Sequence, residues 1–328
     1  MNVPPGFWKQ QLATKYLEIA GKGDIESLHQ LLSEHPEFLN KRGSFNRTLL
    51  WEAARRGKLP AVQWLVEQGA ELDATGCYNS ESYVQLTPYC AAIYYHRMRV
   101  ADYLSSQGTQ LDIFRTAFLG DLLLVSRELD THPDLLNAED PYDMIYFVPL
   151  LAFAVAGGQV EMVNYLLRRG AVVAPYSAQL LPLAARSSRR DIIDLLVTHG
   201  ADVRTVGADV FVTTSDLGIL QYLLQLGVSP TRHLENGFSP LIYLARADKG
   251  EHPEKIQLVL DHGALVNDVG PKGRTALHYA AAAGFTRVIT LLLNHGPDLT
   301  LKDDAGETAL SLAQSAGKTA AARLLIQR

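Results

Sequence analysis

Cys77, Cys90 and His96 are of metal-binding type and lie within one short stretch. Their spacing matches no common zinc pattern and no fourth ligand accompanies them, so no metal is expected there. Cys90 reads more simply as a small buried hydrophobe. Asp140, Asp143, Arg186 and Asp209 could together make a cryptic enzyme or a small-molecule site, but they are loosely scattered along the chain. The sequence contains no glycine-rich phosphate loop ending in Lys-Ser/Thr, no His-Glu-x-x-His and no Gly-x-Ser-x-Gly elbow. Catalytic residues and cofactors are therefore expected to be none. His199, His262 and His295 each stand directly before a glycine that ends an apolar helical stretch. An imidazole there bonds the last helix carbonyls and suits the dipole. What remains is recognition chemistry: Arg55 and Arg56, then Tyr94 and Tyr95, are residue types that dominate binding hot spots.

The rest of the chain must position these groups. It has 328 residues, 47% hydrophobic and 20% charged, which is globular composition and excludes wholesale disorder. That length exceeds what one compact core usually serves, so either two domains or an extended architecture is expected. A net charge of -5 weighs against general nucleic-acid binding. Two cysteines exclude a disulfide scaffold and fit a reducing, cytoplasmic setting. The first residues, Met1 to Trp8, carry no basic stretch followed by an apolar run, so no signal peptide is expected. The longest uncharged run, between Asp143 and Glu161, contains Pro149 and Gly157-Gly158 and reads as a buried helix, not a membrane span.

A period organises the chain. Apolar pairs followed by two polar residues and glycine end at Gly69, Gly108, Gly170, Gly200, Gly227, Gly263 and Gly296, with His35-Pro36 and His132-Pro133 as substitutes. Twelve residues upstream stands a second mark: Gly23, Gly57, Gly120, Gly158 or Gly284. Between the marks, apolar residues such as Met162, Val163, Leu166 and Leu167 fall at helical spacing. A second apolar helix precedes each bracketed one. The repeat is helix, tight turn, helix, longer loop, and only stacking buries its apolar faces. The interval from Gly263 to Gly296 is 33 residues, so the chain holds about ten repeats.

Gly273-Arg274-Thr275-Ala276-Leu277-His278-Tyr279-Ala280-Ala281 and Val288-Ile289-Thr290-Leu291-Leu292-Leu293-Asn294-His295-Gly296 resemble the ankyrin repeat signature. Partial copies run from Thr48 to Gly57, from Leu86 to Ala92, at Ser239-Pro240-Leu241 and from Gly306 to Ala313. The resemblance implies an all-α ankyrin-repeat solenoid of about ten helix-turn-helix repeats, joined by loops or β-hairpin fingers. It is expected to form a single domain, 1–328, with an N-terminal cap at 1–45, internal repeats at 46–304 and a C-terminal cap at 305–328. Irregularity is expected near 111–138 and 206–231, where the Thr-Pro-Leu-His turn is missing, and a weak point near 206–231. The resemblance also implies that His278 bonds neighbouring backbone and that a host oxygenase can hydroxylate an asparagine placed like Asn267. By type, Asn267 reads as a turn residue bonding its own loop.

Ankyrin-like proteins bind partners along a concave face of loop tips and first helices. Read by phase, the implied partner-binding residues are Arg47, Arg55, Arg56, Tyr78, Tyr83, Leu86, Tyr94, Tyr95, Phe118, Tyr142, Phe147 and Arg186. Two loops longer than their counterparts, Glu71 to Leu86 and Asn137 to Met144, add aromatic tips. The expected function is a monomeric protein-interaction scaffold gripping an acidic or aromatic segment of another protein or peptide. A bacterial effector or adaptor acting on host proteins is an alternative reading.

Overall fold

The computed structural model describes residues 7–77, 84–141, 147–207, 209–234, 236–246 and 250–327, with side chains from residue 15 onward. The described residues form ten helix pairs. The chain divides into two compact units, 1–172 and 173–328, each holding five pairs.

In the N-terminal unit the pairs are α1 (Phe7–Lys22) with α2 (Ile25–Glu34), α3 (Leu49–Arg55) with α4 (Leu59–Glu67), α5 (Pro88–Tyr94) with α6 (Met98–Ser106), α7 (Ile113–Leu119) with α8 (Leu122–Thr131), and α9 (Leu150–Ala156) with α10 (Val160–Arg168). First helices stack on first helices in the order α1, α3, α5, α7, α9. After α1 they are only seven residues long, and α3, α5 and α9 bury two or three alanines each, which lets neighbouring layers approach closely. All seven residues of α9 are buried, as expected for the uncharged run before Glu161. Second helices bury one stripe, Met162, Val163, Leu166 and Leu167 in α10.

The C-terminal unit repeats the scheme with α11 (Ser177–Arg186), α12 (Arg190–Thr198), α13 (Val210–Thr213), α14 (Leu217–Gln225), α15 (Pro240–Leu244), α16 (Pro253–Asp261), α17 (Ala276–Ala283), α18 (Thr286–Asn294), α19 (Ala309–Ser315) and α20 (Thr319–Ile326). The seventh pair, which lacks the turn signature, keeps its phase but has a first helix of only four residues. The boundary between the two units falls at Val172–Val173, upstream of the 206–231 segment.

Left-handed backbone marks the turns. Gly23, Gly57, Gly120, Gly158 and Gly284 all have positive φ. Where this mark is not glycine, His96 and Ser188 still adopt φ of 57° and 54°. Geometry, not residue type, is what the repeat preserves. His199, His262 and His295 place Nδ1 2.8, 2.9 and 3.0 Å from the carbonyls of Leu195, Leu258 and Leu291, the helix-end bonds expected of them.

A second device ties some repeats to the next. In two of them the residue at the third position of the first helix reaches the carbonyl just before the next N-cap. His278 Nε2 lies 3.2 Å from the Glu307 carbonyl, while its Nδ1 accepts from the Thr275 amide. Trp51 occupies the same slot, and its indole N–H donates to the Leu86 carbonyl at 2.7 Å. Cys90 also fills this slot; burial pushes its thiol pKa up to about 12. In the fourth repeat the slot holds Arg115, which is 0% exposed. Its guanidinium pairs bidentately with buried Asp140 at 2.8 Å, meets Asp112 at 3.0 Å and donates to the Gln85 carbonyl. Burial is the largest single influence and opposes its charge, but the hydrogen bonds to Asp140 and the attraction of Asp112 and Asp140 together outweigh it and raise the pKa.

Farther along each repeat, Asn40, Asp73, Asn137 and Asn267 accept hydrogen bonds from the backbone N–H of Glu71, Gln110, Val172 and Asp298. Asn267 therefore bridges to the next repeat in addition to standing in its own loop. The long loop ahead of the third repeat is a β-hairpin, β1 (Gly76–Cys77) antiparallel to β2 (Gln85–Leu86), with Gly76 opposite Leu86.

Candidate partner-binding surface

The candidate surface in the N-terminal unit is built on α3. Glu52 is buried one turn into that helix and collects three guanidinium groups: Arg47 at 3.4 Å, Arg56 at 3.2 Å, and Arg55, which bonds it through both Nε and Nη2. Burial is the largest single influence and works against the Arg55 charge, but the hydrogen bonds and attraction of Glu52, together with Tyr95, exceed it, so its pKa lies above the ordinary value. For Arg47 burial dominates and lowers the pKa.

From Arg55 an aromatic ladder crosses to the next two repeats. The Arg55 guanidinium lies 5.5 Å from the Tyr95 ring centroid. Tyr95 meets Tyr94 edge-on at 5.0 Å, and Tyr94 meets Phe118 at 5.7 Å. Such cation–π and edge contacts favour holding rings in place on a rigid helix end. Tyr94 is 38% exposed. Arg97 donates to the Arg55 carbonyl, closing the mid-repeat turn beneath the ladder.

Three residues expected at the contact surface are buried instead. Arg47 turns inward: its Nε donates to the Cys77 carbonyl and its guanidinium stacks on Trp51 at 4.5 Å. Leu86 is covered because the hairpin folds down onto the repeat before it, where its carbonyl receives Trp51. Phe118 lies under Tyr94, leaving the tyrosine as the outer ring. These side chains shape the surface from below and offer it little area. Phe147 is exposed at 57%, with φ of 50°. Arg186 belongs to the C-terminal unit, at the end of α11. Tyr78, Tyr83 and Tyr142 lie outside the described residues.

The residues considered for a cryptic enzyme separate by role. Asp140 is held in the Arg115 pair, and Asp143 lies outside the described residues. Burial raises the Asp209 pKa, with the Arg186 charge acting the other way. Glu52, Trp51 and Arg115 were invisible as functional positions, because each sits where an ordinary first helix carries a core residue. The signal available was the phase: Trp51 and Arg115 share the slot that His278 fills in the ninth repeat.

Exposed apolar side chains missed in the sequence also open α6 and α8, at Met98 and at Leu122, Leu123 and Leu124. An open cleft of about 310 Å³ lies between α1, the turn at 44–46 and α3.

These stacked helix pairs, with left-handed turns between them, define a helical repeat protein whose fold class is the all-α ankyrin solenoid. A family model described as ankyrin repeats in three copies matches residues 17–115 and 211–303, more than half the chain. The chain belongs to the ankyrin-repeat family. It is 31% identical over 247 residues to the ankyrin repeat domain-containing protein SAT10 of Stachybotrys chartarum, covering 70% of this chain and 12% of that one. It is 27% identical over 174 residues to a protein of Arabidopsis thaliana named as E3 ubiquitin-protein ligase XBAT31, covering 47% and 37%. A stretch of 63 residues is 38% identical to the human NAD-capped RNA hydrolase NUDT12, covering 19% and 14%. The chain thus spans well under half the length of each of these relatives. Ankyrin repeats are generally protein-interaction modules. No helix among the described residues is long and apolar enough to cross a membrane.

Proposed function

We propose that the chain is a monomeric interaction scaffold that binds an acidic or aromatic segment of another protein through its N-terminal unit, without chemistry of its own. The observation that carries this reading is the ladder from Arg55 through Tyr95 to Tyr94. It presents large rings and several donors whose rotamers are already restricted, so little side-chain entropy is lost on binding. Phe147 extends the same surface in this proposal, and Arg186 contributes a separate point in the C-terminal unit. The ligase and hydrolase activities named for two relatives form no part of the reading. A cytoplasmic location accords with two cysteines in 328 residues.

The test is a quantitative pull-down from the native lysate with the wild type and with a Tyr94→Ala/Tyr95→Ala/Arg55→Ala variant whose helicity is verified by circular dichroism. Loss of the wild-type partners is expected. Recovery of the same partners in equal amounts sinks the assignment.

A further inference from the structure

The cleft beside α3 holds an aromatic residue whose choice burial does not explain. Phe45 has φ of 59° and ψ of 30°, and Asn46 follows with φ of 60°. A tight turn with two consecutive left-handed residues is ordinarily met by Asn-Gly or a similar pair. At the matching turn of the ninth repeat, where Gly270 bonds Arg274 just as Gly43 bonds Arg47, the pair is Lys272-Gly273. The repeat imposes this conformation, as Lys272 shows, but a bulky aromatic meets it at a cost that glycine or asparagine would not. Phe45 is nevertheless 46% exposed, so burial does not repay the strain. Its ring is posed by Arg47, whose guanidinium lies 5.0 Å from the centroid and is itself held by Glu52 and the Cys77 carbonyl.

Leu17 supplies an apolar floor opposite Phe45, and Lys22 and Arg56 stand exposed on the rim beside one exposed acid, Glu18. The lining carries Lys22, Arg47 and Arg56 against Glu18 and Glu52, three cations to two acids, so the cleft as a whole is mildly cationic. At about 310 Å³ it sits at the small end of ligand clefts, roughly 300–1,000 Å³, which suits one side chain and not a whole cofactor.

The geometry points to this cleft as a subsite for a single large apolar side chain of an acidic peptide segment, the side chain stacking on Phe45 above Leu17 and the flanking carboxylates meeting Lys22 and Arg56. The inference rests on the protein-binding reading above and places an anchor point at the first two repeats, apart from Tyr94 and Tyr95. The occupant follows from charge complementarity and from a strained ring displayed at the lip.

The experiment uses the full chain and fluorescein-labelled nonapeptides with a central Phe, Leu or Ser, flanked by Glu or by Lys, followed by fluorescence anisotropy. Glu-flanked peptides with a Phe or Leu centre are expected to bind at least about tenfold tighter than Ser-centred or Lys-flanked ones. Phe45→Gly is expected to weaken that binding by about tenfold while raising the thermal midpoint, because glycine relieves the left-handed strain. Arg56→Glu is expected to abolish the preference for Glu flanks. Equal binding of Glu- and Lys-flanked peptides, no saturable binding by any member, or unchanged affinity in Phe45→Gly each overturns the subsite. A fall in both affinity and midpoint for Phe45→Gly also overturns it, since the ring is then structural. If Tyr94→Ala/Tyr95→Ala weakens the peptide and Phe45→Gly does not, the ladder reading stands and the subsite falls. Insensitivity to both variants overturns both.

Discussion

Arg115 and Asp140 show how a single pair can replace a lost motif. The fourth repeat has Asp112 at the cap where others carry threonine, and Arg115 where the ninth carries His278. A buried pair of this kind is costly to break, because the surviving charge has no solvent. Arg115→Leu is expected to cost about 3–5 kcal/mol in urea unfolding, and an Arg115→Met/Asp140→Leu double variant to recover much of it. A double variant no better than the single one would contradict this account. His278 supplies a second test. Burial lowers its pKa below the ordinary 6.5, so the fold resists the proton that the unfolded chain accepts. Stability from the neutral imidazole is complete above that ordinary value and is lost as pH falls below it. The thermal-midpoint advantage of the wild type over His278→Gln should therefore shrink between about pH 7.5 and about pH 5.5. His278 could be read from its motif. Arg115 could not, because nothing local tells an inward arginine from a solvated one until Asp140 is brought beneath it.

Helices and turns were the most legible level. The glycine and His-Pro marks bracket α2, α4, α8, α10 and α18: αL backbone at a helix end is a local demand for glycine, and proline after His35 and His132 cannot continue the helix. The same demand at His96 and Ser188 is met by residues that resist it. His96→Gly and Ser188→Gly should each stabilise the protein by about 0.5–1 kcal/mol, the relieved strain exceeding the extra freedom of the unfolded chain. The reverse change, Gly57→Ala, should destabilise by about 1–2 kcal/mol: φ is 72° and a Cβ would lie 2.8 Å from the Arg97 Cδ. Differential scanning calorimetry of the three variants checks both signs. The loop ahead of the third repeat was legible as long but not as folded down. Its hairpin register buries Leu86 and draws Arg47 inward, and register is a pairing between segments that no single segment encodes.

Across the molecule the net charge of -5 conceals a sharp local excess. Residues 41–58 carry Lys41, Arg42, Arg47, Arg55, Arg56 and Lys58 against Glu52 alone. If this region receives an acidic segment, association should slow as salt rises from about 0.05 to about 0.5 M, with the dissociation rate moving less. Stopped-flow measurements at several ionic strengths check this, and a salt-independent on-rate would contradict it.

Periodic spacing by itself determined the family, the ten helix pairs and the fold class, because stacking repeats need only local helices, local turns and an apolar stripe in phase. Which polar groups face solvent was decided only by the tertiary structure. Glu52, Arg47, Arg115 and Asp140 have the composition of a surface, yet they lie between layers, where each charge is matched by a partner from another turn or another repeat. Phe45 and Tyr94 have the composition of a core, yet they stand exposed on the turn and the helix end that carry them.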